Sequence, residues 1–489
     1  MITTVNPGIF RQYDIRGIFN KDLTPQAAYA IGAAYGAYLL RLKGSKGLRV
    51  SVGRDVRLSS PILRDALIEG ILSTGIDVID IGECPTPLQY FSLFHLNLDG
   101  GIMITGSHNP PEFNGFKISI GQETIYGQAI QELRRIVESK GQESGAISQE
   151  KKGKIEYYNI VPVYIDYLKK QFSKYPPSNK PAVKVVVDAG NGTAGRMAPK
   201  LLRELGCEVV ELFCDPNGNF PNHHPDPTIP ENLNDLIAAV KIHKADFGIA
   251  YDGDADRIGI VDEKGKIAWG DQLLIIFARD ILKNSKLIPY SFNRGQNSKP
   301  TFIGEVKCSQ VMYDEINRLG GNAIMWKTGH SLIKSKMKET GSVLAGEMSG
   351  HIFFADRYFG YDDAIYASCR LVEILSAERL RIPNAPFSSL LSGLPETYTT
   401  PEIRVDCPDE EKFKVIDRLS EVVSQEDMGI RGIIRIDGLR LVFDNGWALI
   451  RASNTQPILV LRFEATTEEG LGQIKESVEK KLKQALYQK

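Results

Sequence analysis

At 489 residues the chain exceeds what one hydrophobic core usually organises, so three or four domains are expected. Hydrophobic residues at 42% and charged residues at 24% are the composition of a folded globular protein and exclude wholesale disorder. Lys and Arg number 59 against 60 Asp and Glu, a net charge of −1, so no global field draws the chain to nucleic acid or an anionic membrane; an anionic ligand has to be met by local clustering.

Six cysteines (Cys84, Cys207, Cys214, Cys308, Cys369 and Cys407) lie scattered, without the close pairs of a zinc site, and are too few to staple so long a chain. They fit a reducing, cytoplasmic compartment. The opening MITTVNPGIFRQYDIRG lacks the basic start and apolar run of a secretion signal, and no stretch reaches the ~18 apolar residues of a membrane span.

Short β-branched runs recur along the chain, each followed by a Gly-bearing turn and a helical pattern, which makes the class α/β. In a first domain, 1–157, Thr24-Pro25 opens a predicted helix through Leu40, and LRVSVG (48–53) reads as a buried strand. GIMITGSHNP (101–110) ends an apolar strand in a tight turn carrying Ser107. A hydroxyl held at a strand end is a plausible nucleophile, although Ser, His, Asn and Pro are also simply good turn formers, and the hexapeptide alone does not separate the two. Ten residues on, NGFKI supplies Lys117, a cation able to neutralise a phosphoryl group or move a proton.

A second domain, 158–268, starts at the helix-like PVYIDYLKKQF, continues with the strand of KVVVDAGNGTAG (184–195) and reaches FGIAYDGDADR (247–257). Asp252, Asp254 and Asp256 at alternate positions of an extended loop can face one hard divalent cation, with magnesium the natural occupant. The glycine of a calcium-sensing loop is missing, and Arg257, next in sequence, suits a phosphate. A third domain, 269–392, opens with WGDQLLIIFARDIL and contains TFIGEVKC (301–308) and SVLAGEMSGH (342–351). Within it Glu347 and Ser349 can hold adjacent sugar hydroxyls, and His351 can carry a proton.

Strand, helix, then a second apolar strand ending in a polar, glycine-containing loop thus occurs three times, which predicts three copies of one topology. The stretch 284–300 reads as an exposed loop, and 384–402 as a connection into a last domain. That domain, 393–489, has charged helices alternating with strand-like runs such as IIRIDGLRLVF and WALIRAS, a smaller α+β unit. Its RASNTQP places Arg451, Ser453, Asn454 and Thr455 in a turn whose guanidinium, hydroxyls and backbone N–H groups suit a phosphate.

FRQYDIRG, TGSHNP, NGFKI, DAGNGTAG, DGDADR, VKC, KTGHS, GEMSGH and RASNTQP stand in one order along nearly the whole chain. Taken together they resemble the α-D-phosphohexomutase superfamily, and most of all its phosphomannomutase/phosphoglucomutase branch. The resemblance implies three similar α/β domains with mixed sheets and a C-terminal α+β domain, heart-shaped around a central cleft that receives a loop from each. By the same resemblance Ser107 is a phosphoserine that joins Asp252, Asp254 and Asp256 in binding one Mg²⁺ per chain. Tyr13, Arg16, Lys117 and Arg257 line the transfer site beside His108, Lys307 and His330 contact substrate, and Glu347 with Ser349 holds the sugar's 3- and 4-hydroxyls. Arg451, Ser453, Asn454 and Thr455 clamp the phosphate that is not being transferred.

The expected reaction interconverts hexose 1- and 6-phosphates of glucose or mannose through a hexose 1,6-bisphosphate, with such a bisphosphate as activator. His351 and Lys117 are both candidates for proton transfer. The partners expected are phosphorylated hexoses alone, with the chain acting as a monomer or dimer. Alternatives are a phosphoglucosamine mutase, whose branch usually has Gln where Met348 stands, a non-catalytic sugar-phosphate-binding relative, and a metal-dependent phosphatase.

Overall fold

The computed structural model describes residues 5–44, 47–139, 152–173, 183–284, 299–425, 428–454 and 456–487. Thr455 and nearly all of the expected loop at 284–300 lie outside them. The Thr24-Pro25 pair opens helix Pro25–Lys43, with Thr24 Oγ1 accepting from the Ala27 amide at 3.1 Å. The helix closes on Gly44, whose φ of +64° is the left-handed conformation glycine adopts without a Cβ penalty.

The three expected repeats are present as three sheets with one strand order. In the first, Arg49–Arg54 lies between two parallel neighbours, Asp77–Glu83 and Gly100–Ile104, and Phe113–Ile120 runs antiparallel to the latter. In the second, Lys184–Asp188 lies between Glu208–Leu212 and Phe247–Tyr251, with Ile258–Asp262 antiparallel. In the third, Thr301–Glu305 lies between Asn322–Trp326 and Leu344–Gly346, with Ile352–Phe354 antiparallel. The strands Gly100–Ile104 and Phe247–Tyr251 are buried throughout, which is why each reads as a continuous apolar run. Each repeat's chemical loop leaves the C-terminal end of the third strand, the end at which open α/β sheets bind ligands.

The first sheet extends this plan with Ile15–Ile18, antiparallel to Phe113–Ile120, and with Ile155–Tyr157 at the opposite edge. One apolar cluster runs unbroken through all three repeats, from Ile81 and Phe91 through Val187 and Ile249 to Leu344 and Phe354. Its seam is aromatic: Phe91 meets Tyr164 edge-on at 5.4 Å between centroids, and Phe94 stacks on Phe359 at 4.6 Å.

The fourth unit is an antiparallel sheet with helices Lys412–Gln425 and Glu468–Tyr487 and a core of its own. The run IIRIDGLRLVF is two strands rather than one, Gly432–Ile434 and Leu439–Phe443, because the chain turns at Gly438 with φ +80°. A Cβ there would lie 2.4 Å from the Ile450 carbonyl oxygen. The unit meets the third domain through an apolar cluster of Val306, Trp447 and Leu449 and through polar contacts: Arg440 donates to the carbonyls of Val306 (2.6 Å) and Cys308 (2.8 Å), and Arg462 to that of Lys307.

Candidate active site

Ser107 sits at the strand end with φ +47°, a left-handed conformation that L-residues rarely adopt, and is 3% exposed. The surrounding loop holds it there. The Ser107 amide donates to Thr105 Oγ1 at 2.7 Å, the Gly106 amide to Asp55 Oδ2 at 3.1 Å, and Arg16 to the Gly106 carbonyl at 2.5 Å and Asn109 Oδ1 at 2.9 Å. In this pose Ser107 Oγ donates to Asp252 Oδ2 at 2.8 Å, joining loops 145 residues apart. His108 Nδ1 lies 3.3 Å from the same hydroxyl, and burial followed by the Arg257 cation lowers the imidazole's pKa well below its usual value, keeping it neutral.

Asp252, Asp254 and Asp256 are fully buried, and their ligand atoms lie within 4.8 Å of one another. Asp254 Oδ2 accepts from Thr86 Oγ1 at 2.6 Å and from Lys117 Nζ at 2.7 Å, and Lys117 also pairs with Asp256 Oδ2. The other oxygens, Asp254 Oδ1 and Asp256 Oδ1, are buried with no hydrogen-bond partner among the described residues. Buried carboxylate oxygens without partners are costly, and a hard divalent cation satisfies such a set; the residues present therefore fit a metal ion. The electrostatics agree. Burial and the charges of Asp254 and Asp256 push Asp252 well above the carboxylate range, whereas Asp254, against the effect of its burial, is kept below it by Lys117. Lys117 is buried too, but Asp254 and Asp256 hold its pKa well above the usual lysine value.

Behind the triad, Arg257 Nε donates to His351 Nε2 at 2.9 Å, and His351 Nδ1 lies 3.0 Å from Asp362 Oδ2. Asp362 also meets Lys334 at 3.1 Å. His351 Nε2 is therefore engaged, as is the Lys117 ammonium, whereas His351 Nδ1 and Asp362 Oδ2 lie close without forming a hydrogen bond.

The third and fourth units supply the opposite wall. Glu347 Oε1 accepts from the Gly329 amide at 2.7 Å, and Oε2 from Ser349 Oγ at 3.0 Å. Lys307 pairs with Glu402 at 3.2 Å, and Arg451 Nε with Asp437 Oδ2 at 3.0 Å. Asn454 Nδ2 donates to the Tyr13 hydroxyl at 2.7 Å, which donates to the Thr328 carbonyl at 3.0 Å, so the first, third and fourth units meet at one phenol. His330 lies against Tyr13 with ring centroids 6.2 Å apart. Ser453 Oγ accepts from the Gln456 amide at 3.2 Å.

The structure thus gathers the residues singled out from sequence around one cleft, apart from Thr455, which lies outside the described residues. Sequence reading missed Asp55, Arg57, Thr86, Asp362, Glu402 and Asp437, which hold or charge-balance those residues. Of these, only Asp437 left a visible signal, an Asp-Gly pair inside a β-branched run, which marks a turn.

A repeated α/β plan with a serine loop, a buried acidic triad and an arginine-bearing fourth wall defines the class of the phosphoryl-transferring sugar mutases. Family models for phosphoglucomutase/phosphomannomutase match in series: alpha/beta/alpha domain I at residues 7–144, domain II at 162–265, domain III at 269–398 and the C-terminal domain at 402–481. The chain belongs to the phosphoglucomutase/phosphomannomutase family, within the α-D-phosphohexomutase superfamily. It is 45% identical to a phosphomannomutase/phosphoglucomutase of Pseudomonas aeruginosa, over 98% of this chain and 96% of that one. A phosphoglucomutase of Neisseria gonorrhoeae is also 45% identical, over 97% and 96%. A crystal structure of a phosphoglucomutase/phosphomannomutase family protein from Burkholderia thailandensis superposes with a TM-score of 0.86 at 40% identity, covering 99% of both chains. Among the described residues no helix is long and apolar enough to cross a membrane.

Proposed function

We propose that the chain is a phosphohexomutase that interconverts the 1- and 6-phosphates of glucose and mannose through phosphorylated Ser107 and a hexose 1,6-bisphosphate. The observation that carries this reading is the 2.8 Å contact between Ser107 Oγ and Asp252, at the edge of a buried triad whose Asp254 and Asp256 each keep one oxygen without a hydrogen-bond partner among the described residues. One Mg²⁺, held by Asp252, Asp254, Asp256 and an oxygen of the phosphorylated serine, would supply charge neutralisation at the phosphoryl group.

In the forward step the sugar's free terminal hydroxyl oxygen attacks the phosphorus of phosphoserine and gives up its proton to a base of the site, for which His351 and Lys117 are the candidates, while the bond from phosphorus to Ser107 Oγ breaks, that oxygen takes up a proton, and the bisphosphate forms. Arg16, Lys117 and Arg257 surround the group in transit and offset its charge. Arg451, Ser453, Asn454 and Thr455 take the phosphate at the far end, while Glu347 and Ser349 exchange their internal hydrogen bonds for sugar hydroxyls beside Lys307 and His330. The bisphosphate then turns end for end, and its other phosphoryl group returns to Ser107. Loss of the bisphosphate before that return leaves a bare serine, hence the need for a bisphosphate activator. Met348 favours glucose and mannose over glucosamine, and six unpaired, buried cysteines suit a cytoplasmic enzyme.

Steady-state rates with the 1-phosphates of glucose, mannose and glucosamine, measured with Mg²⁺ and glucose 1,6-bisphosphate, test the assignment. Isomerisation of the first two without matching release of inorganic phosphate is expected, as is reversible loss of activity on chelation. Stoichiometric phosphate release would instead make the chain a phosphatase.

A further inference from the structure

Arg57 has no place in the chemistry above, yet it is among the most buried side chains of the molecule, at 1% exposure. Its donors converge on one loop. Nε pairs with Asp55 Oδ2 at 3.1 Å; one terminal nitrogen donates to the Phe113 carbonyl at 2.9 Å and to that of Pro110, and the other to the Ser107 carbonyl at 2.8 Å and to that of Asn109. Four inward-turned carbonyl oxygens repel one another unless a cation lies between them, and the planar guanidinium fork is the side chain that can serve them together. The fit is close: a Cβ at Gly106 would lie 2.3 Å from Arg57 Nε.

The second domain covers the same group. Phe220, itself at φ +48°, places its ring centroid 5.1 Å from the guanidinium carbon, and the backbone at Gly218 approaches so closely that a Cβ would lie 2.5 Å from the Val56 carbonyl oxygen. The serine loop is thus fastened from within by Arg57 and Asp55 and roofed from the domain that carries the acidic triad.

We propose that Arg57 is a positioning residue for phosphoryl transfer: by gathering the carbonyls of Ser107, Asn109, Pro110 and Phe113 it holds Ser107 in the left-handed conformation that aims Oγ at Asp252. This rests on the reading of Ser107 as the phosphoryl carrier. The substrate's far phosphate and its hydroxyls are bound elsewhere, so the loss should fall on turnover and not on affinity.

The test compares Arg57→Met, Arg57→Lys and Phe220→Leu with wild type. Because a misplacement of about 1 Å can cost about 100-fold, Arg57→Met should lower kcat by roughly 10- to 100-fold with KM for glucose 1-phosphate within about twofold. Arg57→Lys should recover only part of this, since an ammonium cannot serve four carbonyls and a carboxylate, and Phe220→Leu should lower kcat by about threefold to tenfold. Phosphorylation of the bare serine by glucose 1,6-bisphosphate, followed by intact mass, should slow by the same factors. Variants that melt earlier but keep wild-type kcat where folded would overturn the proposal, and so would a rise in KM with kcat unchanged. If Arg57→Met does not fold, Phe220→Leu decides, because it leaves the guanidinium in place. A wild type never phosphorylated on Ser107 would sink the phosphoserine reading, whereas normal turnover of the Arg57 variants beside a phosphorylated wild type sinks only this inference.

Discussion

The two walls of the cleft are built in opposite ways. The wall made by the first two domains shares one apolar cluster with the third, and its polar groups are locked in place: Ser107 by its loop, Asp254 by Thr86 and Lys117, Arg257 by His351. The opposite wall, supplied by the third and fourth units, rests partly on the fourth unit's own core, and its cations are held by ion pairs, Lys307 of the third domain with Glu402 and Arg451 with Asp437. A carboxylate paired with a cation can be exchanged for a phosphate; a buried fold of backbone hydrogen bonds cannot. The contrast teaches that bond making needs fixed geometry, whereas a bisphosphate that turns end for end needs a wall able to release and recapture it.

The sharpest way to break this contrast is Ser107→Ala, which should remove turnover by at least about 1,000-fold while leaving the melting temperature near wild type, since the loop's other hydroxyl, Thr105 Oγ1, is fully buried and turned to the backbone. Residual isomerisation near wild-type rate would return the loop to a simple turn. On the other wall, Arg451→Ala should raise KM about 10- to 100-fold, the worth of a charge-assisted phosphate contact, with a smaller fall in kcat. More bisphosphate should escape per product formed, and an unchanged ratio with unchanged KM would show that the fourth unit does not hold the far phosphate.

Thr86→Val sharpens the view that the first wall is fixed. Removing a hydroxyl that orients a metal-binding carboxylate should weaken Mg²⁺ binding about tenfold, read by calorimetry without substrate. Equal affinity would mean that Lys117 alone orients Asp254. The last effect is read on stability and not on turnover, and it concerns the ion pair of the second wall. Lys307 holds the Glu402 carboxyl down to about 2 against an ordinary 4.5. Its contribution is therefore complete above pH 4.5 and is lost as pH falls towards 2, amounting to at most about 3 kcal/mol. Glu402→Gln should flatten that part of the stability curve, measured by urea unfolding at a series of pH values, and a variant as acid-sensitive as wild type would deny the pair its role.

The difference between the walls also governs how much of each could be read from sequence. Ser107, the three aspartates and Arg451 stand in short local motifs that mark them out, although Ser107 took its role only from the company of the other motifs, and the threefold strand order followed from recurring apolar runs. The partners that fix them left no such mark. Thr86 meets Asp254 across 168 residues, and Arg57 reaches the serine loop from 50 residues away. Neither has a spacing to betray it, since only the packed sheets bring the segments together. Glu402 was read as part of a connection because nothing local distinguishes a buried ion-paired glutamate from a solvated one. The run around Asp437 was taken as one strand because its β-branched residues outweighed the turn signal of Asp437-Gly438.

The phenol of Tyr13 bears on how the molecule is made. It contacts Asn454 across 441 residues, so at roughly 5–20 residues per second of synthesis the two ends of that contact emerge from a ribosome about 20 to 90 seconds apart. During that interval the first three domains already contain every residue of their common apolar cluster and the complete serine and aspartate loops. A nascent chain at that stage carries the serine and aspartate loops without Arg451 and Asn454 of the fourth unit. A chain stalled or cut before strand Gly446–Ala452 keeps the serine and aspartate loops but cannot close the contact between Tyr13 and Asn454.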